Sequence, residues 1–179
     1  MDAYLAVVSK REVRQYTTEP IPEATLTRIL QAGRATGSSR NRQPWAFVVV
    51  TDKSHLAALS RHAYSPGNLT GCAAAVVVAV EGDRDRFDAG RVAQNMMLAA
   101  WALGIGSCPN GFTDEGAAGA ALGLPAGMRL PTVLTLGRPA PGAPRPRPGA
   151  DPERVLGRVK RKPLEAVVHR EQYRPPASA

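Results

Sequence analysis

The run AAAVVVAV, from Ala73 to Val80, carries no polar side chain. It is too short to cross a bilayer, which takes about 20 apolar residues in a helix. It is rich in Val, whose branched Cβ suits a strand. The run is continuous rather than alternating, so both faces of that strand are expected to be covered. Trp45 to Thr51, WAFVVVT, reads the same way, and Leu130 to Gly137 gives a third strong strand. Pro131 puts the start of that strand outside the ladder or on an edge, because proline has no N–H to donate.

Helical spacing fills the intervals between these strands. Residues 2–9 form a helix with Leu5 and Val8 on one side. After Pro22, suited to a first helical turn, Leu26, Ile29, Leu30 and Gly33 recur on one face, with Gly37 as the stop. Asp52 and Ser54 offer caps for a short helix through Leu59. HAYSPGN reads as a loop. From about Ala89 to Leu103, Val92, Met96, Ala99 and Leu103 make one stripe, widened by Ala93, Met97 and Ala100. A helix apolar on so much of its girth is central or lies at a subunit interface. Gln94 and Asn95 interrupt it and suit hydrogen bonds at that seam. IGSCPNGF is a short strand or loop, and Thr113 to Leu122 a helix weakened by Gly116 and Gly119.

The segment PAPGAPRPRPGADP falls in a stiff connection, residues 138–152. Beyond it, residues 153–173 form an arm with Leu156, Val159, Leu164, Val167 and Val168, which need another surface to be buried. The order of elements gives a sheet covered by helices in one domain, residues 1–179, either α/β or α+β.

Composition removes several function classes. The net charge is +8, from 23 Lys and Arg against 15 Asp and Glu. The basic residues are dispersed and aromatics are only 5%, a poor stacking surface for nucleic acid; a bound phosphate or anionic cofactor uses the charge better. Cys72 and Cys108 form no disulfide framework and read as free thiols. Closely spaced Cys and His are lacking, so no metal site is expected. No signal peptide or membrane span is visible, which points to the cytoplasm. No Gly-x-Gly-x-x-Gly follows a strand, and no serine-hydrolase elbow occurs.

Four segments together resemble the FMN-dependent nitroreductase family. They are KREVRQYTTEPIP, GSSRNRQPWAFVVV, GRVAQNMMLAAWALGIGSCPNG and RKPLEAVVHRE, in that order, and the likeness spans nearly the whole chain. The second matches the family pattern Ser-Ser-x-Asn-x-Gln-Pro-Trp. The resemblance implies an α+β nitroreductase-like fold, with a mostly antiparallel central sheet flanked by helices and a C-terminal arm exchanged between subunits. It implies a homodimer with FMN at the interface. Lys10 and Arg11 then address the ribityl phosphate region, and Arg14 the N1 and O2 edge of the ring. Ser38, Ser39, Asn41 and Gln43 line the cofactor from the partner subunit; Ser39 and Asn41 are the favoured contacts, and Gln43 and Trp45 serve equally well as structural residues. Asn68 is either a reader of the N3 and O4 edge or a turn-former. Cys108, Pro109, Asn110 and Gly111 run against the flavin face, with Cys108 a small buried residue rather than a redox thiol. Arg161, and next Lys160, meets the phosphate from the arm.

Two departures from the family pattern stand out. Glu12 occupies a position where relatives carry serine; a carboxylate there repels phosphate unless it turns away, for instance to pair with a neighbouring arginine. Only EGDRDRFD joins the Ala73–Val80 strand to the central helix, where larger relatives insert helices that roof the pocket. The resemblance implies ping-pong hydride transfer through flavin N5, with NADH or NADPH as reductant and nitroaromatics, quinones or related acceptors as second substrates. No side-chain nucleophile is required, because the cofactor carries the chemistry. Two other functions fit the same residues: a flavin-dependent oxidase of a peptide-like substrate such as a cyclic dipeptide, and a non-catalytic flavin-binding protein.

Overall fold

The valine-rich run becomes β2 (Ala74–Val80), in which every residue is buried. In the computed structural model, which describes residues 1–173, β2 pairs with β1 (Trp45–Val50) on one side and β4 (Arg129–Gly137) on the other. The strand β3 (Gly106–Asn110) lies outside β4, giving the order β1-β2-β4-β3. All three ladders are antiparallel. The choice left open by helical and strand periodicity therefore falls to α+β.

The pleat divides β2 between two cores. Val76 sits between Val49 and Leu134, and Val77 between Val48 and Val133. Val76, Val78 and Val80 face α2 (Glu23–Arg34) and α5 (Arg86–Ala102), against Leu26, Ile29, Val92 and Met96. Ala75, Val77 and Ala79 face Leu56 and Leu59 of α3 (Lys53–Ser60), Leu69 of α4 (Pro66–Gly71) and Ala118 of α6 (Glu115–Ala121). Both sides of the sheet are covered, so the run has no need to alternate. Among the described residues, no helix is long and apolar enough to cross a membrane.

Pro131 falls where the β2–β4 register shifts, between Val78↔Thr132 and Val80↔Arg129. The neighbouring β3 already ends opposite Val133. Proline thus occupies a bulge with no strand on its other side. α2 ends at Arg34, before Gly37, with the N–H of Ala35 donating to the Gln31 carbonyl. Its Gly33 lies directly on Met96 of α5: an added Cβ would come 2.1 Å from Met96 Cε and 2.9 Å from Cγ.

Two expectations are corrected. HAYSPGN is not wholly loop, because Pro66 opens α4 from its first turn, where a missing N–H removes no helical bond. α5 starts at Arg86 rather than about Ala89, because Asp83–Asp85 already form a 3-10 turn that runs into it. Asn95 Nδ2 donates to the buried Thr36 Oγ1 at 2.8 Å, and both Gln94 and Asn95 are exposed.

Candidate active site

α1 (Ala3–Ser9) delivers the basic opening to the outer edge of β3. Glu12 bridges in parallel to Ser107, and the N–H of Val13 donates to the Ser107 carbonyl at 3.0 Å. The approach is close enough to demand glycine on β3, since a Cβ on Gly106 would lie 2.7 Å from the Val13 side chain. The alignment brings Lys10, Glu12 and Arg14 around Cys108. Burial raises the Cys108 thiol pKa, Arg14 and Lys10 lower it, and Glu12 raises it.

These basic residues have different fates. Lys10 Nζ donates to Glu12 Oε1 at 2.6 Å and lies 3.3 Å from Met97 Sδ of α5. The departure at Glu12 is thus accommodated by Lys10, not by an arginine. Arg11 turns back on α1 and donates to the carbonyls of Val8 and Lys10 at 2.9 and 2.8 Å. Arg14 is exposed; among the described residues it enters no hydrogen bond or ion pair.

α4 closes on β3 from the opposite side. Asn68 Nδ2 lies 3.9 Å from Cys108 Sγ, so Asn68 sits in a helix rather than a bare turn. Asn110 Nδ2 donates to the Ser65 carbonyl at 2.9 Å, and its Oδ1 accepts from the N–H of Gly111. The N–H of Tyr64 donates to the Gly111 carbonyl at 3.0 Å. The exposed Tyr64 ring rests on Gly111, where an added Cβ would come within 3.0 Å of it. Cys108 is buried, whereas Pro109 is exposed. Tyr16 was not singled out from sequence. Its hydroxyl donates to the Val13 carbonyl and meets Thr135 Oγ1 at 2.9 Å, and burial raises its pKa. A lone tyrosine before a proline-rich entry gave no signal of this contact.

The Ser38–Gln43 loop lies elsewhere. Arg40, Asn41 and Gln43 have φ of 52°, 55° and 51°, a left-handed conformation uncommon for residues with a Cβ. Ser38 Oγ accepts from the N–H of Gln43 at 2.8 Å, and Gln43 Nε2 donates to the Asn41 carbonyl at 3.3 Å. Ser38 and Gln43 thus close the loop on itself. Ser39 and Asn41 are exposed, and their side chains make no hydrogen bond among the described residues. Arg42 Nη2 donates to Asp85 Oδ1 at 2.6 Å across the start of α5. No sequence signal joined these two, since they lie 43 residues apart and their meeting depends on the packed fold. Phe87 is exposed, with the Arg91 guanidinium 5.9 Å from its ring centroid. Ser38, Ser39, Arg42, Arg84, Phe87 and Arg91 bound a concavity of about 520 Å³.

The two clusters sit at different levels of α5. The loop meets the turn before α5 at Asp85, Gly37 just ahead of the loop lies beside Arg91, and the opening touches α5 at Met97, about 9–18 Å further along at helical rise. Among the described residues, no hydrogen bond or ion pair joins the loop to Lys10, Arg14 or Cys108. Lys160 and Arg161 of the arm make no side-chain hydrogen bond or ion pair with either cluster among the described residues. α7 (Pro152–Leu156) meets α1, with Tyr4 Oη 3.4 Å from Glu153. Lys160 and Arg161 are exposed, and Arg161 donates to the Lys160 carbonyl at 3.0 Å.

Comparison with known proteins places this architecture. The nitroreductase family model matches residues 7–77 and 68–138. A protein of Archaeoglobus fulgidus, named for NADH dehydrogenase or NAD(P)H nitroreductase activity, is 30% identical over 145 residues, covering 74% of this chain and 83% of its own. An NADPH-flavin oxidoreductase of Vibrio harveyi is 28% identical over 188 residues, covering 93% of this chain and 72% of its own. A nitroreductase-like protein of Desulfovibrio desulfuricans, solved in complex with FMN, superposes with a TM-score of 0.79 at 26% identity, covering 97% of this chain and 99% of its own. With its antiparallel sheet, its buried central helix and this breadth of match, the chain belongs to the nitroreductase family of oxidoreductases.

Proposed function

We propose that the chain is an FMN-dependent oxidoreductase acting as a homodimer, reduced by NADH or NADPH and in turn reducing nitroaromatic, quinone or related acceptors. The observation that carries this reading is Arg14. An exposed guanidinium, without a hydrogen bond or ion pair among the described residues, acts electrostatically on Cys108 at the edge strand of the sheet. Such a group suits an anionic ligand, and a fixed positive charge favours a ring that gains electrons. FMN, when bound, supplies two-electron exchange by hydride at its ring N5.

The donor set fits this cofactor. Arg14 would hold the ring, and Ser39 and Asn41 would bring unengaged polar side chains from the partner subunit. With Lys10 held by Glu12 and Arg11 held by carbonyls, the phosphate would fall chiefly to Arg161 and Lys160 of the arm. The separation of the two clusters along α5 supports a site assembled from two chains. The connection from β2 to α5 is only a 3-10 turn at Asp83–Asp85, so nothing inserted there roofs the pocket.

The test is anaerobic mixing of FMN-loaded protein with NADH and with NADPH. Rapid loss of flavin absorbance, restored by a nitroaromatic or a quinone, is the expected result. Bleaching by dithionite alone would remove the nicotinamide reductase reading and favour an oxidase with another donor. Failure of folded protein to take up FMN at all would overturn the proposal.

A further inference from the structure

Arg42 and Asp85 both lie outside the family-like pattern. Arg42 fills a variable position in Ser-Ser-x-Asn-x-Gln-Pro-Trp, and Asp85 belongs to the short connection EGDRDRFD. They nevertheless meet at 2.6 Å, with the Asp85 side chain 0% exposed and that of Arg42 35% exposed. Asp85 Oδ2 is buried without a hydrogen-bond partner, and Arg84 stands 3.9 Å from Oδ1 with its side chain 77% exposed. The Arg42 contact is therefore the hydrogen bond that compensates this buried carboxylate. A buried charge left without such a bond is strongly disfavoured.

The loop above this pair has no comparable anchor of its own. Its bonds are short-range: Asn41 N–H to the Ser38 carbonyl at 3.0 Å, Arg42 N–H to the Ser39 carbonyl at 3.2 Å, and Gln43 N–H to Ser38 Oγ at 2.8 Å. They must hold Arg40, Asn41 and Gln43 at positive φ, which chirality disfavours in residues with a Cβ. The connection flanks the loop a second time, where the N–H of Glu81 donates to the Pro44 carbonyl at 3.3 Å.

We propose that Asp85 is a positioning residue for the cofactor loop: through Arg42 it holds Arg40–Gln43 in the left-handed shape that leaves the Ser39 and Asn41 side chains exposed for the ligand. The proposal rests on the reading of this loop as a cofactor contact. It assigns to the short connection a task beyond joining β2 to α5.

The experiment uses the full chain, with Asp85→Asn, Arg42→Gln and the double variant. Amide hydrogen exchange at Asn41, Arg42 and Gln43 is read without FMN, and FMN affinity by fluorescence titration. Asp85→Asn should speed exchange at those amides and raise the FMN Kd by about tenfold, while amides of β2 exchange as in the wild type. The double variant should match the single ones in both quantities, because one interaction is being removed. Unchanged loop exchange in Asp85→Asn, a loosened loop with wild-type FMN affinity, or additive effects in the double variant would each overturn the proposal. If Asp85→Asn does not fold, Arg42→Gln gives the same two readings. If the wild type takes up no FMN, the oxidoreductase reading falls, and the exchange data alone decide whether Asp85 holds the loop.

Discussion

Cys72 and Arg14 show how differently two side chains depend on their surroundings. Cys72 lies buried just before β2, and burial pushes its thiol pKa up from 9.0 to about 11, only partly offset by Lys53. The unfolded chain loses this proton first as pH rises. The associated stability is present below about pH 9 and fades as pH rises through about 11, by up to about 3 kcal/mol. The urea midpoint should therefore be lower at about pH 10.5 than at about pH 8, and Cys72→Ala should lessen that fall. Arg14 is exposed and acts, on the proposed reading, through the charge of its ligand. Arg14→Ala should lower the midpoint potential of bound FMN by about 30–65 mV, the equivalent of one charged contact. Arg161→Ala, directed at a phosphate whose charge scarcely changes, should weaken FMN binding and leave the potential nearly fixed; potentiometry on saturated variants compares them. The residues that gather at β3, Lys10, Arg14, Asn68 and Cys108, were each legible because their local segments are recognisable. The Arg42–Asp85 pair was not, because its members lie far apart in the chain and meet only in the packed fold; for Glu12 a basic neighbour was expected, but not that it would be Lys10.

At the scale of elements, the contact of α2 with α5 turns on a single missing methyl group. Gly33→Ala would gain about 1 kcal/mol of helix propensity. It would also drive a Cβ to 2.1 Å from Met96 Cε and 2.9 Å from Cγ, and overpacking of this kind costs about 1–3 kcal/mol. Met96 is fully buried and has little room to retreat, so the net expectation is destabilisation. A thermal melt should show a Tm lower by a few degrees, at about 2–4 °C per kcal/mol for a chain of this size. β1, β2 and β4 were legible because both cores require continuous apolar runs, whereas the polar β3, GSCPN, could be read as strand or loop. α4 was not, because Ser, Pro, Gly and Asn belong equally to turns and to the first turn of a helix. The sheet's antiparallel order was likewise out of reach of periodicity, which reports the faces of a strand and not its neighbours.

For the whole molecule, the arm is the part least explained by one chain. Leu164, Val167 and Val168 are 72%, 55% and 49% exposed, and α7 rests on the body through α1. Apolar side chains carried this way gain stability only on another surface. Truncation after Gly149 should therefore reduce the sedimenting species and weaken FMN binding together; a truncated dimer with full FMN affinity would remove the arm from the site. The apolar anchors of this segment were visible in sequence, whereas their packing surface was named only by the family resemblance, since periodicity marks an apolar face and not what covers it.

The spacing of the two clusters along α5 also has a consequence for inheritance. If each cofactor site takes Arg14 from one subunit and Ser39 with Asn41 from the other, a subunit defective at Arg14 and a subunit defective in the loop are complementary alleles. Each homodimer has two damaged sites. A mixed dimer collects both lesions in one site and leaves the other intact. Co-expression of Arg14→Ala with a Ser39→Ala/Asn41→Ala chain should then leave about a quarter of all sites undamaged, given random pairing into two-fold dimers, and turnover should exceed the average of the two variants measured separately.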